Sequence, residues 1–227
     1  MKKKLILIGG GGHGESVIDS IRSANQYEII GILDQKLEAG TSISGIPVLG
    51  TDELLTDLFH QGISYGVIAV GSLGDPRPRI RIYETLKQKG LVLPNVIDKS
   101  AVLSKDISMG EGSFVGKGAI IGAGAVLGKG CIINTGAIIE HGSNIGDFVH
   151  IAPGCVLCGN VSVGDNTHIG AGTTVIQNIT IGDNTMIGAG SLVLRNISSH
   201  TLAFGKPAKE VGVYEQSYDY RRSRGKP

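Results

Sequence analysis

From Met109 to Val193 an aliphatic residue returns at every sixth position without a break, through Ile121, Ile133, Ile145, Leu157, Ile169 and Ile181. Two residues before each stands a small or β-branched side chain, as at Ser113, Ala119, Ala125, Cys131 and Ala137. Three residues after it stands Gly or Asn, from Gly112 to Asn196, with Phe148 as the exception. A period of six fits neither a helix at about 3.6 nor a plain strand at about 2. It fits a short strand and a sharp corner, repeated. Gly and Asn tolerate the positive φ of such a corner, and the aliphatic residue stacks inward on its equivalents. The pattern predicts a parallel β-helix of hexapeptide repeats.

The first part of the chain reads differently. KLILIGG (4–10), YEIIGILD (27–34), YGVIAV (65–70) and LVLPNVI (91–97) read as strands. VIDSIRSA, a segment at about 51–59 and residues 76–90 read as helices between them. Strand alternating with helix predicts a small doubly wound α/β domain. The expected divisions are an α/β domain at 1–98, the β-helix at 99–212 and a polar tail at 213–227.

Gly9, Gly11 and Gly14 have GxGxxG spacing between a strand and a helix, and Asp34 lies twenty residues further on. This places phosphate near a helix N-terminus with an acceptor nearby. It does not name the nucleotide. A nicotinamide cofactor, another nucleotide and a glycine-rich packing turn all fit the spacing.

The net charge of +1 and the lack of a basic patch before the tail argue against nucleic acid. No apolar run reaches membrane-spanning length, and the apolar stretch after MKKK is too short for a signal peptide. Cys131, Cys155 and Cys158 read as free thiols, which points to the cytoplasm. Cys155 occupies the small inward position of the repeat, so the lone CxxC does not argue for a metal.

The combination of GGxGH on a Rossmann-like domain, a hexapeptide β-helix and Gly205-Lys206-Pro207-Ala208 near the end carries a resemblance. The chain resembles the hexapeptide sugar acyltransferases. It is similar to the bacterial N-acetyltransferases that act on UDP-linked 4-amino sugars or GDP-perosamine, and to the sialic acid O-acetyltransferases. The resemblance implies a left-handed triangular β-helix, acetyl-CoA as co-substrate, no metal, and a homotrimer with intersubunit active sites. It implies sugar-nucleotide binding at Gly11, Gly12, His13, Asp34, Gly71 and Ser72. It assigns His141 as general base and places His150, Ala171 and Ala189 at the acetyl-CoA site.

His150 and His168 each precede an inward residue and stand one coil apart on an outer face, where His168 reads as an ordinary face residue. Family members carry an acid directly after the base, but here that position is Gly142. Without the acid, His141 would be a weaker base, which favours an amine over a hydroxyl acceptor. The expected activity is N-acetylation of a nucleotide-linked amino sugar in cell-surface glycan assembly. The alternatives are sugar O-acetylation and a non-catalytic scaffold with a nucleotide-binding domain. Phe114, Ile120, Val126, Ile132, Ile138, Val156, Met186 and Leu192 point outward and need cover, expected from neighbouring prisms.

Overall fold

The computed structural model describes residues 2–215, and the basic residues of the tail lie outside the described residues. The chain opens with β1 (Lys3–Ile8), α1 (Gly12–Ala24), β2 (Tyr27–Leu33), β3 (Ser42–Ile43) and β4 (Ile46–Gly50). A 3₁₀ turn (Asp52–Leu54), α2 (Leu55–His60), β5 (Tyr65–Ile68) and α3 (Arg77–Gln88) follow. The sheet runs β3-β4-β2-β1-β5, parallel except for the short β3–β4 hairpin. Central β1 buries Leu5, Ile6, Leu7 and Ile8, as an unbroken apolar run between two layers must. α1 stops where Asn25 turns left-handed at φ 56°. Among the described residues no helix is long and apolar enough to cross a membrane.

Residues 91–97 do not form the last strand of this sheet. Val92 makes only an isolated bridge to Tyr65. Pro94 has no amide to give a ladder. Val96–Ile97 instead pairs with Phe114–Val115 and starts the β-helix. The apolar run was real, but its partner lies in the other part of the molecule.

From there two-residue strands recur every six residues and pair in parallel with the strand eighteen residues on, as Ile121 with Ile139 and Ile139 with Leu157. Three sheets result. Their inward residues form one buried column that includes Val115, Ile121, Ile133, Ile151, Ile169 and Ile187. Corners sit at positive φ on Gly or Asn, such as Gly136 at 64° and Asn160 at 59°. Phe148 takes the same conformation at φ 54° although a bulky residue pays heavily there. Its ring is buried and meets Tyr83 edge-on at 5.5 Å, so packing against α3 holds it.

One face of the prism is covered by the α/β domain. Phe114 and Ile132 join Leu5, Leu7, Val17 and Ile21 in one apolar cluster. Met186, on the same face, is buried too. These three outward residues therefore need no second prism. Ile120 and Val126, on the other two faces, remain 40% and 46% exposed.

Polar groups join the two parts. Asp98 accepts from the Ser20 hydroxyl at 2.8 Å and the Ser100 hydroxyl at 2.6 Å. Burial pushes its pKa up, but those bonds and Lys117 outweigh that and hold it down to about 2. Arg79 is fully buried, and its guanidinium donates to the carbonyls of Val70 and Gly130, one in each part. Burial lowers its pKa to about 10.

The last coil is met by Thr201–Gly205, parallel to Met186–Ile187, and the chain then turns back through Ala208–Val213 antiparallel to it. The turn contains Lys206 and a cis Pro207.

Candidate active site

Two cavities open where the α/β domain meets the prism. The larger, about 1250 Å³, lies over the carboxyl ends of β1, β2 and β5. Gly11, Gly12, His13, Asp34, Gly71 and Ser72 all line it, so the fold gathers every residue expected at a nucleotide into one place. A Cβ added at Gly11 or Gly12 would meet nothing within 4 Å, which leaves the start of α1 open to a ligand. Gly9 cannot carry a side chain, because at φ 107° its Cβ would come within 2.5 Å of Val70.

Asp34 is already occupied. Its Oδ2 accepts the Gly10 N–H at 2.8 Å, and its Oδ1 accepts the N–H groups of Lys36 and Leu37 at 2.8 and 3.2 Å. Burial pushes its pKa up, and the three N–H groups more than reverse this, so it stays ionised below its ordinary value.

The smaller cavity, about 540 Å³, runs down one corner of the prism. Ala152, Pro153, Gly170, Ala171, Gly188 and Ala189 line it, with Met186 and Leu73 at its side. Small side chains on successive coils leave a slot for a long, thin ligand. His150 and His168 close its inner end, stacked in register with their rings edge-on at 4.7 Å. His168 thus belongs to the cavity wall rather than to an ordinary face.

Leu73, Asn134 and His150 line both cavities. At this junction His150 Nδ1 donates to the Ser72 carbonyl at 2.6 Å. Its Nε2 then accepts from the Asn134 amide at 3.3 Å. Burial lowers the His150 pKa to about 4, with the Ser72 bond opposing and Arg79 adding to the fall. Burial likewise takes His168 and His13 to about 3. All three are neutral near pH 7; His150 uses both ring nitrogens in hydrogen bonds, whereas His13 Nε2 and His168 Nδ1 are buried without a partner among the described residues.

Sequence comparison accounts for both parts of the chain. Residues 4–86 match the PglD N-terminal domain, 106–141 the hexapeptide repeat of succinyl-transferase, and 142–177 and 160–195 the bacterial transferase hexapeptide (six repeats). No curated protein matches the chain. Among solved structures, perosamine N-acetyltransferase from Caulobacter crescentus, in complex with CoA and GDP-perosamine, is 38% identical over 92% of this chain and 97% of that one, with a TM-score of 0.87. The chain belongs to the family of hexapeptide-repeat sugar acetyltransferases.

Another member is the acetyltransferase domain of PglB from Neisseria gonorrhoeae, solved with acetyl coenzyme A, at 35% identity over 93% of this chain and all of that one, with a TM-score of 0.86. WeeI from Acinetobacter baumannii, at 23% identity and a TM-score of 0.74, shares the fold.

In this acetyltransferase His141 lies apart from both cavities. It is exposed at the next corner of the prism, after Ile138–Ile139. Its ring covers Gly159, where a Cβ would come within 2.5 Å of the ring. The missing acid has a local cause. Gly142 sits at φ 66°, and a Cβ there would approach the Asn160 side chain to 2.3 Å. Asp147 offers no substitute, since it accepts the Lys129 N–H at 2.9 Å and pairs with the Lys129 ammonium at 3.4 Å. Among the described residues no group of three His, Cys, Asp or Glu is arranged to hold a metal.

Asn134 was not singled out from the sequence. It occupies an ordinary corner-approach position of the repeat, and only the position of His150 beside it gives it a role. Arg81 and Thr85 of α3 also face the larger cavity, and nothing in an amphipathic helix sequence marks which polar residues will do so.

Proposed function

We propose that this acetyltransferase moves an acetyl group from acetyl-CoA to the amino group of a nucleotide-linked amino sugar. The observation that carries this reading is the junction of the two cavities at Leu73, Asn134 and His150. One cavity has the glycine turn that suits a diphosphate, and the other has the narrow slot that suits a pantetheine arm. A sugar on the first and a thioester in the second would meet there, converting a two-body encounter into a positioned one. That the Caulobacter relative was crystallised with CoA and GDP-perosamine supports the assignment of the two cavities.

The amine lone pair attacks the thioester carbonyl, the C–S bond breaks, and CoA leaves as the thiolate, which takes up the proton that a base has drawn from the amine and departs as the thiol. One proton of the amine must go to a base. His150 is ill placed for this, because both its ring nitrogens are engaged at low pKa. His141 is the base in this reading, brought to the junction by another copy of the chain packed against the open faces. Two structures of the Caulobacter enzyme carry a substituted histidine, which supports a histidine of consequence in the family. A homotrimer is the assembly proposed. Acetyl-CoA supply and the free thiols of Cys131, Cys155 and Cys158 fit the cytoplasm.

The test is CoA thiol release from acetyl-CoA with UDP-, GDP- and dTDP-linked 4-amino sugars, beside free sialic acids. Release with an amino sugar is expected. Release with hydroxyl acceptors alone would overturn the amine assignment in favour of O-acetylation.

A further inference from the structure

The loop 69–76, between β5 and α3, carries a residue shared by the two cavities. Leu73 lines both and is 69% exposed, so no core packing of its own holds this side chain in place. The loop is fixed on either side of it. The Ser72 carbonyl accepts from His150 Nδ1 at 2.6 Å. Gly74, the next residue after Leu73, rests on Tyr214 from the far end of the described chain.

Tyr214 directly follows the returning strand Ala208–Val213. Its N–H donates to the His200 carbonyl at 2.7 Å, which ties it to the turn before Thr201–Gly205. It is 3% exposed. A Cβ added at Gly74, which stands at φ 84°, would run into the Tyr214 hydroxyl and would reach the Met186 sulfur at 3.3 Å. The phenol end of the ring therefore lies against the loop backbone, beside a methionine that lines the slot. Burial and the Asp75 carboxylate push its pKa up to about 12, with Arg77 opposing, so it packs there as a neutral group.

An exposed loop residue must be ordered whenever a ligand meets it, and that cost falls on binding unless the loop is held beforehand. We infer that Tyr214 is a positioning residue for acetyl-CoA: by holding Gly74 it keeps Leu73 in place as a wall of the slot. This rests on the reading of the slot as the acetyl-CoA site. Tyr214 lines neither cavity, so its effect on a ligand passes through the loop. Once the ring no longer reaches Gly74, Leu73 stands away and the ligand binds without it. Loss of Tyr214 and loss of the Leu73 side chain then remove the same contact.

The experiment is isothermal titration of acetyl-CoA into the full-length wild type, Leu73→Ala, Tyr214→Leu, Tyr214→Phe and the double variant Leu73→Ala/Tyr214→Leu. Leucine at 214 keeps apolar bulk for folding but is too short to reach Gly74, and urea midpoints are measured alongside. Leu73→Ala should weaken acetyl-CoA about three- to tenfold, as for an aliphatic side chain partly buried by a ligand. Tyr214→Leu should weaken it by a similar factor. The double variant should be no weaker than the single ones, because the two act through one contact. Tyr214→Phe keeps the ring and should bind like the wild type. A Tyr214→Leu protein with a lowered urea midpoint but unchanged acetyl-CoA affinity would overturn the inference, leaving the residue a purely structural one. Factors that multiply in the double variant would overturn it too, since the ring would then act by another route. Unchanged binding in Leu73→Ala would overturn it whatever Tyr214→Leu does, and that exposed side chain can be removed without touching the core. If the wild type bound no acetyl-CoA, the reading of the slot would itself fail, and this inference with it.

Discussion

The covered and open faces of the prism are written in the same six-residue code, yet they have different fates. On the covered face Phe114, Ile132, His150, His168 and Met186 stand one coil apart, and all are buried under the α/β domain. On an open face Val102 is 62% exposed and Ile120 is 40% exposed, with Ile138, Val156 and Leu192 half-buried. The repeat sets which side chains enter the prism, but it says nothing about what rests against the outside. The covered face makes the two cavities within one chain. The open faces leave His141 at a corner with no cavity of its own.

The sharpest way to test this contrast is to remove His141. His141→Ala should lower kcat by roughly a hundredfold to ten-thousandfold, the usual worth of a general base. It should leave unfolding unchanged, since the side chain is exposed. Mixing and reassembling it with a variant damaged at Asn134 should recover part of the activity, because one mixed interface would then hold both intact groups. No recovery would mean that the histidine works within its own chain.

The next effect is on stability. Phe114→Ala should cost about 3–5 kcal/mol in urea unfolding, the range for an aromatic ring deleted from a core. Ile120→Ala, one face away, should cost well under half as much in a dilute, dissociated sample, because its side chain remains partly in water. Equal costs would erase the distinction between the faces.

The covered face also carries a pH signature. His13, His150 and His168 are neutral in the fold, with pKa values of about 3, 4 and 3, and each would titrate at about 6.5 when unfolded. Below about pH 6.5 the unfolded chain therefore binds more protons, so stability falls as pH drops from there towards 4. Each histidine contributes at most about 1.4 kcal/mol per pH unit in that window. His168→Gln should flatten the slope of stability against pH between 6.5 and 4, measured by urea midpoints. An unchanged slope would mean that the ring is not held neutral.

The smallest effect belongs to the open face. Ile120→Ser should leave the unfolding of a dissociated chain within about 0.5 kcal/mol, as surface changes usually do. It should shift sedimentation towards smaller species at low concentration. A wild-type protein that sediments as a monomer at high concentration would remove the basis for intersubunit sites.

The parts of this molecule legible in the sequence were those set by local repetition. Inward positions such as Ile139 and Leu157, corners such as Gly136 and Asn160, and the glycine turn at 9–14 depend on near neighbours in the chain. The cavity assignments of Ala171 and Ala189 came from family resemblance. Pairing between the parts was not legible. LVLPNVI looked like a strand of the first sheet because nothing in seven residues says which sheet will take it. Phe114 and Met186 looked like an intersubunit surface because their cover, α1 and the loop after β5, lies more than seventy residues away. Asn134 and Arg81 acquire meaning only once both parts are in place.

The hairpin after the last coil has a consequence of its own. A stack of parallel coils ends in exposed backbone amides and carbonyls, and a second molecule could add its own coils there without limit. Thr201–Gly205 takes the next place on the covered sheet, and Ala208–Val213 runs the opposite way beside it. A reversed strand cannot template another parallel coil in register. On that sheet, growth into a fibre is stopped by the chain's own reversal of direction.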